Sequence, residues 1–194
     1  MKIILLLCAL SVSFAAVGQT APLPVPVAET GGRVVYSLVI DSPGASQAAL
    51  YGKALRWLAG LPQIGPPSLV QDAASGLVAG RVGAAFTSRA SMGTMPCTMW
   101  RQVSIQVKDG RAKYEARDFA VQYYVASPAV LTPPAPGQVT LHPLEEYTDP
   151  TVGRYYTKDG QPRTWTASLL SAAGEQTAGQ VAALRRALTT DANW

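Results

Sequence analysis

The feature of this sequence that most constrains its fold is a β-hairpin pattern in the middle of the chain. Residues 100–108 and 111–124 alternate apolar and polar side chains, and Asp109 and Gly110 stand between the two runs. An Asp-Gly pair supplies the two positive φ angles of a type I′ turn, so the pattern predicts a two-residue hairpin loop. The alternation predicts an antiparallel sheet that is covered by helices on one side and open to water on the other.

The two faces of this hairpin differ in chemistry. The face predicted to be buried carries Val103, Ile105, Val107, Ala112, Tyr114 and Ala116. The open face carries the four cations Lys108, Arg111, Lys113 and Arg117. Seven Lys or Arg residues stand against two carboxylates between Arg81 and Arg117, so this face is suited to an anionic glycan, a lipid head group or a peptide carboxylate, with Trp100 as a neighbouring aromatic. The alternative is a face that is polar only to keep the sheet soluble.

The segments before the hairpin predict three strands and one helix. A strand is predicted at 34–40, where apolar residues on both faces favour a central position. An amphipathic helix is predicted at 45–61 because Leu50, Ala54, Trp57 or Leu58, and Leu61 recur at helical spacing. Two strands at 69–73 and 77–86 flank a turn at Ser75 and Gly76, and the segment 87–97, which has no period, predicts a long loop.

The first eighteen residues have the features of an export signal. Lys2 precedes an apolar run over residues 3–10, and Ala16 and Gly18 give the small-x-small spacing that signal peptidase requires for a cut after Gly18. The apolar run is shorter than the roughly twenty residues of a membrane span. We therefore expect an exported protein, located in the periplasm, on the outer-membrane surface or outside the cell.

The mature chain is predicted to contain one folded domain with extended flanks. Residues 19–32 alternate Pro with apolar residues and predict an extended tether, whereas residues 33–125 contain the strands and the helix of an α+β domain. A second Pro-rich, irregular segment is predicted at 126–163. The remaining residues, 164–194, predict a C-terminal helix that packs on the domain and is clearest from Gly179 onward.

Two residue groups are candidates for chemistry. Cys97, the sole thiol of the mature chain, and His142, the sole histidine, lack the local signature of a nucleophile and base pair, and they are too few for a zinc site. The carboxylates Glu145, Glu146 and Asp149 lack the spacing of a calcium loop. We expect no catalytic residue, no metal site and no cofactor.

Several short motifs together resemble a known family. They are the helix residues Tyr51, Ala54 and Trp57, the turn Asp72, Ser75 and Gly76 followed by Gly80, and Val107-Lys108-Asp109-Gly110-Arg111 with Tyr114. Over about residues 33 to 125 the chain resembles the secreted bacterial domain-of-unknown-function family numbered four-four-six-eight, with a TATA-binding-protein-like fold. The resemblance implies a curved antiparallel sheet with helices packed on one face, and it implies no activity.

These observations predict a noncatalytic binding module of the bacterial cell envelope. Its ligand-binding residues are expected to be Lys108, Arg111, Lys113 and Arg117, and its partner an envelope protein or an anionic glycan. A binder of nucleic acid or another anionic polymer is the alternative that the basic pI favours and export disfavours. An uncharacterised enzyme is a further alternative, which would require a cleft with a strongly perturbed titratable group.

Overall fold

The computed structural model describes residues 33–61, 64–90, 93–123 and 141–190, and the predicted signal and tether lie outside these ranges. Within them, six strands form one antiparallel sheet, accompanied by two α-helices. The elements are β1 (Tyr36–Asp41), α1 (Gln47–Ala59), β2 (Ile64–Asp72), β3 (Leu77–Ala90), β4 (Gly93–Lys108), β5 (Arg111–Tyr123), β6 (Leu141–Pro143) and α2 (Thr164–Thr189).

The sheet is open and has one covered face. Its order is β1-β5-β4-β3-β2, and the short β6 also pairs with β5. Both helices pack on the same face, where Leu50 and Leu58 of α1 and Leu169 and Leu184 of α2 join one apolar cluster with the inner side chains of the strands. The predicted α+β architecture, an antiparallel sheet with helices on one side, is confirmed.

The central hairpin follows the predicted alternation but not the predicted turn. Lys108 pairs with Arg111 across a two-residue loop, and the inner positions of both strands are buried. Gly110 has a φ of 73°, whereas Asp109 does not have the positive φ that a type I′ turn needs. Instead, Oδ1 of Asp109 accepts a hydrogen bond of 2.6 Å from the backbone N–H of Gln47, at the N-terminus of α1. An isolated hairpin would lack this contact with α1. In the folded protein the turn therefore differs from the type I′ turn that the Asp-Gly pair predicts.

Two predictions about strands are wrong. β1 is an edge strand rather than a central one, and Val39 is 54% exposed on the open face. The segment 87–97 does not form a long loop, because β3 and β4 continue through most of it, with Phe86 paired to Cys97 and Ala90 to Gly93. Backbone pairing between β3 and β4 holds these residues extended although their side chains show no period.

The start of each helix and the buried face of α1 can be compared with the predictions. Ser46 is the N-cap of α1 and its hydroxyl accepts from the N–H of Ala49, while Leu50, Ala54 and Leu58 form the buried stripe that the sequence predicted. α2 starts well before Gly179, at Thr164. Neither described helix combines the length and apolarity that a membrane span requires.

The chain between β5 and α2 also contributes to the core. Residues 124–140 lie outside the described ranges, and β6 follows them and pairs with β5 through Ala120, Val121 and Gln122. A single turn of 3-10 helix then buries Leu144 and Tyr147. The segment predicted as irregular thus supplies apolar side chains to the fold.

Candidate functional site

The open face of the sheet presents the four cations predicted from the hairpin. Lys108, Arg111, Lys113 and Arg117 are all exposed. Each occupies a position that alternates with a buried residue of β4 or β5, which explains why the chain can carry them without disturbing the core.

Within the described residues, two of the four cations form ion pairs with carboxylates. Lys113 Nζ lies 3.3 Å from a carboxylate oxygen of Glu115, and Arg117 lies 3.7 Å from Glu115 and 3.7 Å from Asp118. For Lys108 and Arg111, no ion pair is formed within the described part of the chain. These two like charges stand directly opposite each other across the hairpin, an arrangement that costs a few tenths of a kcal/mol or more in the absence of an anion.

Three of the cations surround a shallow depression of 260 Å³. Its lining consists of Val39, Gln106, Lys108, Arg111 and Lys113. The apolar contribution comes from β1, because Val39 is the register partner of Lys113 and therefore shares its face. The depression combines an exposed apolar side chain with three cations, a composition suited to an anionic group attached to an apolar one.

Trp100 lies toward the opposite end of the same face. Its indole Nε1 donates a 2.7 Å hydrogen bond to Gln122, and the guanidinium of Arg81 lies 5.6 Å from its ring centroid. The predicted aromatic neighbour is therefore already engaged with Arg81, and it does not line the depression.

One of the seven cations counted in the sequence does not belong to this surface. Arg101 is fully buried on the inner face of β4, between Met99 and Val103. Its Nε donates to Gln180 at 3.2 Å and its Nη1 to Gln176 at 3.3 Å, both on α2, whereas Nη2 has no hydrogen-bond partner. The alternation of β4 already assigned position 101 to the buried face, so the periodicity contained the signal.

Arg101 has an unusual electrostatic environment. Its guanidinium lies 5.9 Å from the ring centroid of Phe119, and the described residues place no carboxylate in a salt bridge with it. Burial lowers the pKa of Arg101, and burial raises the pKa values of Tyr36 and Tyr114 to about 12, an effect that the nearby positive charge of Arg101 partly opposes. The cluster is an unpaired cation among tyrosines and glutamines.

A β-bulge lies opposite Arg101. Trp100 pairs with Ala120 but Gln102 pairs with Arg117, so two residues of β5 face one of β4. One of the two is Asp118, whose φ is 53°. Here β5 changes its partner from β1 to β6, and an open surface pocket of 370 Å³ lies beside this position. Its lining includes three charged side chains, those of Arg33, Asp118 and Glu145.

The residues considered for chemistry have ordinary structural contacts. Cys97 and His142 lie in strands rather than in the separate loops expected for them, and Tyr123, the cross-strand partner of Cys97, stacks on His142 with ring centroids 4.8 Å apart. Burial raises the pKa of the Cys97 thiol. Glu145 accepts a 2.9 Å hydrogen bond from the N–H of Val34. The described residues contain no group of three or more His, Cys, Asp or Glu side chains placed to hold a metal ion.

The open six-stranded sheet with both helices on one face is an α+β fold of the TATA-binding-protein-like kind. Two solved structures share this fold. A DUF4468 family protein from Bacteroides ovatus is 18% identical, with 87% of this chain and 93% of that chain covered at a TM-score of 0.56. A TBP-like protein from Parabacteroides distasonis is 13% identical, with 82% and 97% covered at a TM-score of 0.51.

The similarity to these two structures concerns the fold. No family model matches the chain. No curated protein matches it. The resemblance identified from the sequence motifs is confirmed by the two structural neighbours, and a TATA-binding-protein-like shape carries no function with it.

Proposed function

We propose that this protein is an exported, noncatalytic binding module of the bacterial cell envelope that holds an anionic partner on its open sheet face. The partner is an envelope protein or an anionic glycan. Lys108, Arg111 and Lys113 supply the attraction, and Val39 supplies an apolar contact beside them. Arg117 does not line the depression, so it contributes less than the sequence predicted.

The observation that carries this proposal is the juxtaposition of Lys108 and Arg111. They oppose each other at the end of the hairpin, without an ion pair among the described residues, beside a depression that Lys113 also lines. An anion placed there relieves the repulsion between the two cations, so binding gains from an arrangement that is unfavourable in the free protein.

Charge reversal tests the basic face. The double variant Lys108→Glu/Arg111→Glu is compared with Lys158→Glu/Arg185→Glu, which has the same net charge and changes two exposed residues outside the sheet. Binding to polygalacturonate, and recovery of proteins from an envelope extract, are measured at low and moderate salt after equal melting temperatures have been verified. We expect the first variant to lose binding and the second to retain it. Equal binding by both variants and the parent would contradict the proposal.

Export is tested separately. Mass spectrometry of the protein recovered from its native compartment is expected to give an N-terminus at Gln19, after removal of residues 1–18. Recovery of the protein only inside the cytoplasm, with Met1 retained, would contradict the envelope location without bearing on the basic face.

A further inference from the structure

The two edges of the sheet are protected to different extents. β2, at one edge, carries Pro66 and Pro67, and its pairing with β3 shifts register between Gly65 and Val70. β1, at the other edge, keeps a regular register with β5 from Tyr36 to Asp41 and contains no Pro, Gly or Lys. In the ranges that the structure describes, no strand pairs with the outer side of β1. An edge strand that has a regular register and contains no Pro, Gly or Lys can pair with an additional strand.

The side chains of β1 connect this edge to the basic depression. Ser37, Val39 and Asp41 are exposed, and they pair with Glu115, Lys113 and Arg111. A strand added outside β1 would place every second side chain on the same face, next to Val39. Neighbouring strands lie about 4.8 Å apart, so a Glu on the added strand lies roughly 10 Å from the backbone of β5, which Glu and Lys or Arg side chains can span together.

We propose that the outer edge of β1 accepts an extended, acidic peptide segment of a partner protein as a seventh strand. This inference rests on the proposed function and specifies its partner. Backbone N–H and C=O groups of the peptide pair with β1. Its acidic side chains lie on the open face, where their carboxylates face Arg111 and Lys113 and their methylene groups lie beside Val39, and the alternate side chains lie on the opposite face.

Charge and backbone chemistry both favour this occupant over others. The β1 strand of a second copy offers Asp41 as its only carboxylate, so an edge-to-edge dimer would leave the cations of the depression largely without partners. A glycan or a lipid head group supplies negative charge but no ladder of amide donors and acceptors for the edge. An acidic strand supplies both.

The test uses a fluorescent heptapeptide of alternating Val and Glu with blocked termini. Two versions of it carry N-methyl groups, either on the odd or on the even residues. In a strand, the N–H groups of odd and even residues point to opposite edges, and only one edge of the peptide would pair with β1. We therefore expect one methylated version to lose affinity by about tenfold or more and the other to bind like the parent peptide. Equal affinity of all three peptides, or no binding of the parent peptide up to about millimolar concentration, would overturn the inference.

Amide exchange locates the added strand. With the parent peptide bound, the outward N–H groups among residues 36–41 should exchange more slowly by NMR, whereas polygalacturonate should leave them unchanged. Unchanged exchange in the peptide complex would overturn the edge inference and leave the basic face intact. Undiminished peptide binding by Lys108→Glu/Arg111→Glu, with exchange still slowed in residues 36–41, would instead contradict the attraction by the basic face and leave the added strand intact, so the two failures can be told apart.

Discussion

Nε of Arg101, in the middle of the sheet, donates a hydrogen bond of 3.2 Å to Oε1 of Gln180 on α2. This bond joins the covered face of β4 to the C-terminal helix through a buried cation that has neutral partners. Charges buried in proteins are normally paired with an opposite charge, because desolvation is costly. The interface between α2 and the sheet therefore retains an uncompensated positive charge. Adding a negative charge beside it should change the stability of the protein in a predictable direction.

The first prediction concerns this charge. Gln180→Glu places a carboxylate beside the Arg101 guanidinium with little change of shape, so we expect the free energy of unfolding to rise by about 1 kcal/mol or more at neutral pH. Urea unfolding measures it. Gln161→Glu, which adds the same charge at an exposed position, is the control and should have little effect. A lower stability of Gln180→Glu than of the control would show that desolvation of the new carboxylate exceeds the gain from pairing.

The second prediction concerns alkaline pH. Burial raises the pKa of Tyr36 and of Tyr114 from 10.0 to about 12, so the stability that their neutral forms contribute is complete below pH 10 and is lost as pH rises toward 12. In that window, ionisation of each tyrosine should lower the free energy of unfolding by about 1.4 kcal/mol per pH unit. Urea unfolding across it should show a shallower slope for Tyr114→Phe than for the parent. Parallel slopes would mean that Tyr114 ionises in the folded protein as readily as in the unfolded chain.

The third prediction compares two glycines at turns. Gly76 and Gly110 have φ values of 74° and 73°. A Cβ at Gly76 would lie 2.5 Å from the backbone oxygen of Val107, whereas a Cβ at Gly110 would meet nothing within 4 Å. Gly110→Ala should cost about 1–2 kcal/mol of stability from φ strain alone, and Gly76→Ala at least about 1 kcal/mol more because backbone must move. Similar losses in thermal unfolding would argue against the close approach of Gly76 to β4.

The fourth prediction tests the packing of α1 on the sheet. Leu58 is fully buried, so Leu58→Ala should lower the free energy of unfolding by about 2–5 kcal/mol. Arg56→Ala, at an exposed position of the same helix, should change it by less than about 0.5 kcal/mol. A loss below about 0.5 kcal/mol for Leu58→Ala would place α1 outside the core.

Local pattern was sufficient for much of the fold. The alternation of β4 and β5 and the helical spacing of Leu50, Ala54 and Leu58 determined which side chains are buried, because one face of each element must leave water. The exposed placement of Lys108, Arg111, Lys113 and Arg117 followed from the same period. The exposure of these cations was predictable, whereas their role in binding stays a prediction.

Tertiary structure decided the features that depend on pairing and contact between elements. The edge position of β1, the continuation of β3 and β4 through residues 87–97 and the conformation of Asp109 depend on strand order, on backbone pairing and on contact with α1. In β4, β5 and α1 the sequence alone determined which residues face inward, since burial follows the local period. Only the assembled sheet decided which residues meet and that Val39 of β1 is exposed, since hydrogen bonding, strand order and charge pairing join residues that the period cannot relate.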